Sequence, residues 1–206
     1  MIARLAPVFA AALLSATIPG LAQDHPASQL PVPNSTLSLE ERAKAVAVAL
    51  PQQAAVSSLT LSQVGAPNRV VVSNVQAIDE TKAEGRQALV TIYQYQDNVT
   101  LRRLVDLKES RIVSEERSTQ STPPLAPVEQ DYARALLLAN ERVAQLLGPM
   151  RDVTKTEFLL THTSAPDSPF YGKRVVGALF RTPRGYLANA PKVFVNLTDG
   201  AVVLQD

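Results

Sequence analysis

The nonapeptide Val105-Asp106-Leu107-Lys108-Glu109-Ser110-Arg111-Ile112-Val113 returns ninety positions later as Val195-Asn196-Leu197-Thr198-Asp199-Gly200-Ala201-Val202-Val203. Both copies flank a polar, turn-forming centre with apolar residues, the pattern of a β-hairpin. Carried back at the same spacing, Ala43, Ala45, Val46 and Ala49 fall on Ala133, Ala135, Leu136 and Ala139. Each copy therefore opens on a helix-like segment and closes on an apolar hairpin. The repeat predicts an α+β chain of two tandem units, each one helix packed on an antiparallel β-sheet.

Outward from the repeat, residues 1–22 read as a secretory signal peptide. Arg4 precedes an apolar run from Leu5 to Ile18, Pro19-Gly20 breaks it, and Gly20 and Ala22 offer small side chains for cleavage. The run is shorter than the roughly 20 apolar residues a membrane span needs, so no membrane insertion is expected after signal removal. The expected location is the bacterial periplasm or the extracellular space. No cysteine is present to form disulfides. Without Arg4, 19 Lys and Arg balance 19 Asp and Glu, a neutrality that argues against nucleic acid as a partner.

Residues 23–37 carry Pro26, Pro31 and Pro33 without apolar periodicity and are expected to be a disordered mature N-terminus. The first unit spans 38–117. Ser38 and Glu41 form a capping-box pattern, and Leu39, Ala43, Val46, Ala47 and Leu50 recur at helical spacing up to Pro51. Strands are predicted at Val56–Val64, Arg69–Ile78, Arg86–Gln96, Thr100–Leu107 and Ile112–Glu115, with Gly65 to Asn68 as a turn. Residues 118–127, with Pro123, Pro124 and Pro127, form an extended linker. The second unit, 128–206, repeats the plan: a helix from Val128 to Leu147, then strands at Val153–Thr161, Tyr171–Arg181, Leu187–Leu197 and Ala201–Leu204.

Several of these residues carry a family resemblance. Arg86-Gln87-Ala88-Leu89-Val90 through Tyr93, the run to Leu104-Val105-Asp106-Leu107, the hairpin to Ile112-Val113-Ser114-Glu115, Pro123-Pro124-Leu125 and Glu141-Arg142-Val143-Ala144-Gln145-Leu146-Leu147 resemble the two N-terminal domains of copper-containing primary amine oxidases. The hairpin at Val195–Val203 resembles the end of the second of them. The resemblance covers roughly Ser38 to Asp206 and implies the cystatin-like fold, which is also similar to PepSY-type modules. It does not bring the oxidase chemistry, which in that family belongs to a separate β-sandwich domain with a quinone cofactor made from tyrosine and a copper held by three histidines.

Within these residues that chemistry has no carriers. There are two histidines, His25 and His162, one fewer than the copper site uses. Tyr93-Gln94-Tyr95 lacks the Asn and the acidic residue of the family's Asn-Tyr-acidic-Tyr motif, and reads as an aromatic patch on one strand face. No Gly-x-Ser-x-Gly elbow or phosphate-cradling glycine loop occurs. The pairs Asp79-Glu80 and Glu115-Glu116 sit at strand neighbours that face opposite ways. Arg102-Arg103 and Arg181 with Arg184 read as solvated strand edges. Sequons stand at Asn34, Asn98 and Asn196.

The expectation is an exported, non-enzymatic protein with no cofactor or metal, working by contact with a protein partner. Tyr93, Tyr95, Phe170, Tyr171 and Tyr186 are the candidate contact aromatics, with burial in a core as their alternative role. Rival readings are a detached N-terminal component of a split or truncated amine oxidase, and a protease inhibitor or chaperone-like PepSY-type module. Gln63-Val64-Gly65 is contiguous, unlike the spaced Gln-x-Val-x-Gly of cystatins.

Overall fold

Ser38 starts the first helix as its composition dictates. In a computed structural model of the chain its Oγ accepts the Glu41 N–H and Glu41 Oε2 accepts the Ser38 N–H at 2.8 Å, a complete capping box. The structure describes residues 36–50, 69–78, 86–163, 165–187 and 191–205. The signal segment, the strand expected at Val56–Val64, the following turn, His25, Asn34 and Asp79-Glu80 lie outside them.

The described chain is α+β with two antiparallel sheets. Helix α1 (Leu39–Ala49) is followed by β1 (Val70–Ile78), β2 (Gln87–Gln94), β3 (Val99–Asp106) and β4 (Arg111–Ser118), paired in chain order. Helices α2 (Pro127–Ala139) and α3 (Glu141–Leu147) precede β5 (Lys155–Thr161), β6 (Val175–Thr182), the short β7 (Gly185–Tyr186), β8 (Lys192–Asn196) and β9 (Ala201–Gln205). The second sheet runs β5-β6-β8-β9, with β7 paired to β6. No described helix is long and apolar enough to cross a membrane.

Period-two alternation decides which strand faces meet the helices. Ala88, Val90 and Ile92 of β2, with Leu101 and Val105 of β3, pack beneath Ala45, Ala49 and Leu50. In the second sheet Val176, Ala178 and Phe180 of β6, with Val193 and Val195 of β8, pack beneath Tyr132, Ala133, Leu136 and Leu137. Each fully buried Ile or Val contributes about 1.5–3 kcal/mol. The second core also takes in Val71, Tyr93 and Tyr95 from the opposite face of the first sheet, so β2 is covered on both sides.

The two halves match in local detail, but the spacing between matching residues is not uniform. In the two hairpins the ninety-residue offset holds. Asp106 Oδ1 accepts the N–H groups of Lys108 and Glu109, as Asn196 Oδ1 accepts those of Thr198 and Asp199. Ser110 and Gly200 both close the turn with positive φ. In the helices the offset is eighty-eight: Ala45 and Ala49 are buried, as are Ala133 and Leu137, whereas Ala43 is exposed where Ala133 is buried. The gapless alignment of the helices is thus corrected. The two additional residues lie between Arg174 and Asn196, the stretch in which β7 stands between β6 and β8.

Other expectations are also revised. The single helix 128–147 is broken at Asn140, whose extended backbone ends α2 and whose side chain caps α3 by accepting the Val143 N–H. Strand β6 begins at Val175 because Gly172, at φ +66°, turns the chain before it. Leu39 is exposed rather than core-facing, and Leu37, expected in the disordered start, is buried in the first core. Arg103 is no solvated edge: β3 is an interior strand, and Arg103 caps the end of α1 through the Ala49 carbonyl.

Candidate functional site

Two features could carry function: a buried polar cluster between the sheets, and the open face of the second sheet.

Three arginines each stand just before a strand, and two of them, Arg69 and Arg174, build the cluster. Arg69 precedes β1, Arg86 precedes β2 and Arg174 precedes β6; their carbonyls accept the N–H of Tyr95, Leu107 and Leu197, the first residue of each neighbouring turn. This places every guanidinium at a sheet corner. Arg86 reaches Glu41 at 2.8 Å and the Thr36 carbonyl at the surface. Eighty-eight positions on, Arg174 reaches Glu129 and the Pro124 carbonyl, now in the interior. Glu129 also accepts the Ala126 N–H at 2.8 Å, as Glu41 accepts that of Ser38.

Around Glu129 every contact is short and dry. Arg174 Nε and Nη2 donate to its two oxygens at 2.6 and 2.8 Å, and both side chains are fully buried. Tyr95 donates its hydroxyl to Glu129 Oε1. Arg174 lies over the Tyr93 ring at 4.4 Å and Arg69 over the Tyr95 ring at 3.8 Å, while the two rings meet edge to face at 4.9 Å. Burial pushes the Tyr93 phenol up to about 12 and raises Tyr95 as well, with the Glu129 charge as the second cause for Tyr95. Tyr132 is raised by burial against the opposing charge of Arg69. Both phenols of the Tyr93–Tyr95 pair stay neutral near pH 7, and Glu129 has no open side on which to receive a substrate proton.

The cluster also locks the proline-rich linker between the halves. Arg174 donates to the Pro123 and Pro124 carbonyls, Ser73 Oγ donates to Pro124 O and Thr100 Oγ1 to Ser121 O. From the other side Arg69 donates to the carbonyls of Leu197 and Thr198. The linker is extended as its composition implies, but it is pinned by side chains of both halves.

The structure therefore divides the five candidate aromatics. Tyr93 and Tyr95 belong to the buried cluster, and Phe170 is buried against Phe194 at 5.2 Å between ring centres; burial withdraws these three from the surface that a partner can reach. Tyr171 and Tyr186 are 52% and 58% exposed. Tyr186 donates to Glu157 Oε2 at 2.8 Å, which orients its ring over the sheet face turned away from the helices. On that face Leu159 of β5 stands opposite Gly177 of β6, which stands opposite Phe194 of β8 and then Val203 of β9. Leu159 and Leu179 are exposed there. Gly177 leaves the Phe194 ring room to lie across it.

Of the remaining sequence candidates, Glu115 and Glu116 pair with Arg103 and Arg102 on opposite faces of the sheet. His162 is an exposed residue at the end of β5. Asn196 is buried with its amide engaged in the hairpin, so it offers no attachment point for a glycan. Among the described residues no group of three or more potential metal ligands occurs. Sequence reasoning missed Arg69, Glu129 and Arg174. The available signal was the forty-five-residue separation that Glu41–Arg86 and Glu129–Arg174 share.

No protein-family model matches the chain, and no curated protein matches it.

Proposed function

We propose that the protein is an exported, non-catalytic binding protein whose two halves are cystatin-like units similar to the N-terminal domains of copper amine oxidases. It acts by contact with a protein partner through the open face of the second sheet. The observation that carries this reading is the division of labour among its side chains. Glu129, Arg174, Tyr93 and Tyr95 are spent on holding the linker and the sheets, while Leu159, Leu179 and Tyr186 are left exposed on one sheet face. The shared order of helix then antiparallel meander, with one Glu–Arg tie per half, supports the relation between the units.

The test is affinity capture from an envelope extract by the wild type and by a Leu159→Glu/Tyr186→Ala variant, with an amine-dependent peroxide assay on the purified chain. A partner held stoichiometrically by the wild type and lost by the variant is the expected result. Amine-dependent peroxide formed by the single chain would overturn the reading.

A further inference from the structure

Helix α2 ends and α3 begins around the extended Asn140, and the break leaves a notch over the end of the second sheet. Its floor is Leu137, Val143, Leu147 and Phe180, all under 10% exposed, and Leu138, 51% exposed, stands at its rim. Two guanidiniums, Arg134 and Arg151, belong to the lining, and no carboxylate does.

We infer that this notch docks a segment of a partner protein that presents one aliphatic side chain beside a carboxylate. Size selects a side chain over a whole small molecule. The enclosed space is about 20 Å³, room for the tip of one side chain and far below the roughly 300–1,000 Å³ of sites that enclose a ligand. Charge selects the carboxylate. Arg151 Nη2 is tied to the Leu138 carbonyl at 2.9 Å, which fixes its fork at the rim. Arg134 holds Asp131 at 3.1 Å, but Asp131 is 76% exposed, and a surface pair of this kind exchanges readily for an incoming carboxylate. An aliphatic side chain on the floor would bring its own or a neighbouring carboxylate to these two cations. The inference rests on the reading of the chain as a contact protein, but it uses a surface separate from the open sheet face.

The probe is an acetylated, amidated pentapeptide, Ala-Ala-Leu-Glu-Ala, titrated into the isotope-labelled protein and followed by amide NMR shifts. Saturable shifts are expected at Leu137, Leu138, Val143 and Arg151. Affinity is expected to fall about tenfold with Ser in place of the peptide's Leu, with Gln in place of its Glu, and in an Arg134→Gln/Arg151→Gln protein. The peptide replacements keep the test independent of how the protein variant folds. Equal affinity for all three peptides, or no saturation up to about 10 mM, where binding is weaker than about 3 kcal/mol, would overturn the inference. Shifts confined to Leu159, Leu179 and Tyr186 would overturn it too while leaving the proposed function in place.

Discussion

Glu129 and Arg174 form a two-point ion pair with no exposure, and Glu41 and Arg86, at the same separation in the first half, form its solvent-exposed counterpart. The same kind of contact thus occurs in two dielectric environments. A buried pair broken on one side leaves an uncompensated charge, whereas an exposed one is rehydrated. Arg174→Met is expected to destabilise the protein by about 3–5 kcal/mol, and Arg86→Met to have little effect. Urea unfolding of the two variants measures the contrast.

The buried phenols set an alkaline limit. Tyr93 and Tyr95 have raised pKa values in the fold, so above about pH 10 the unfolded chain loses phenolic protons that the folded chain keeps. Their contribution is complete below that pH and shrinks as pH climbs toward 12. The urea midpoint should fall over this range, and Tyr93→Phe should flatten the fall.

Much of this was legible because it is local. The capping box at Ser38 and the two hairpins are short patterns whose backbone partners lie two or three residues away. What escaped is long-range or depends on a slip. Pairing Glu129 with Arg174 spans forty-five residues and leaves no periodicity. The extra residues between Arg174 and Asn196 put a gapless comparison out of phase in the helices while keeping the terminal hairpins aligned. The helix break at Asn140 looked like one polar residue in a continuous apolar stripe, because Leu136, Val143 and Leu147 keep facing the core on both sides of it. The open-face aromatics could not be told from the buried ones, since Tyr93 and Tyr186 both sit on strands and only packing against the other half separates them.

The turn residues allow a paired test. Ser110 has φ +53° where Gly200 has +69° in the matching turn, and a left-handed backbone costs a residue with a β-carbon about 1–2 kcal/mol. Ser110→Gly is expected to stabilise the protein by about 1 kcal/mol, and Gly200→Ser to destabilise it by a similar amount. Thermal melts of the two variants should move in opposite directions.

At the helix break, Asn140 Oδ1 accepts the Val143 N–H at 3.1 Å. Asn140→Ala is expected to cost about 1 kcal/mol. Amide exchange should quicken in α3 before it does in α2.

The most direct test of the whole account compares partner capture by two double variants. Leu159→Glu/Tyr186→Ala alters the open sheet face, and Glu129→Gln/Arg174→Met alters the buried cluster. The expected result is lost capture with an unchanged melt for the surface variant, and retained capture with a shifted melt for the buried one. Capture or any catalytic turnover that disappears in the folded buried variant, but survives in the surface variant, would contradict it.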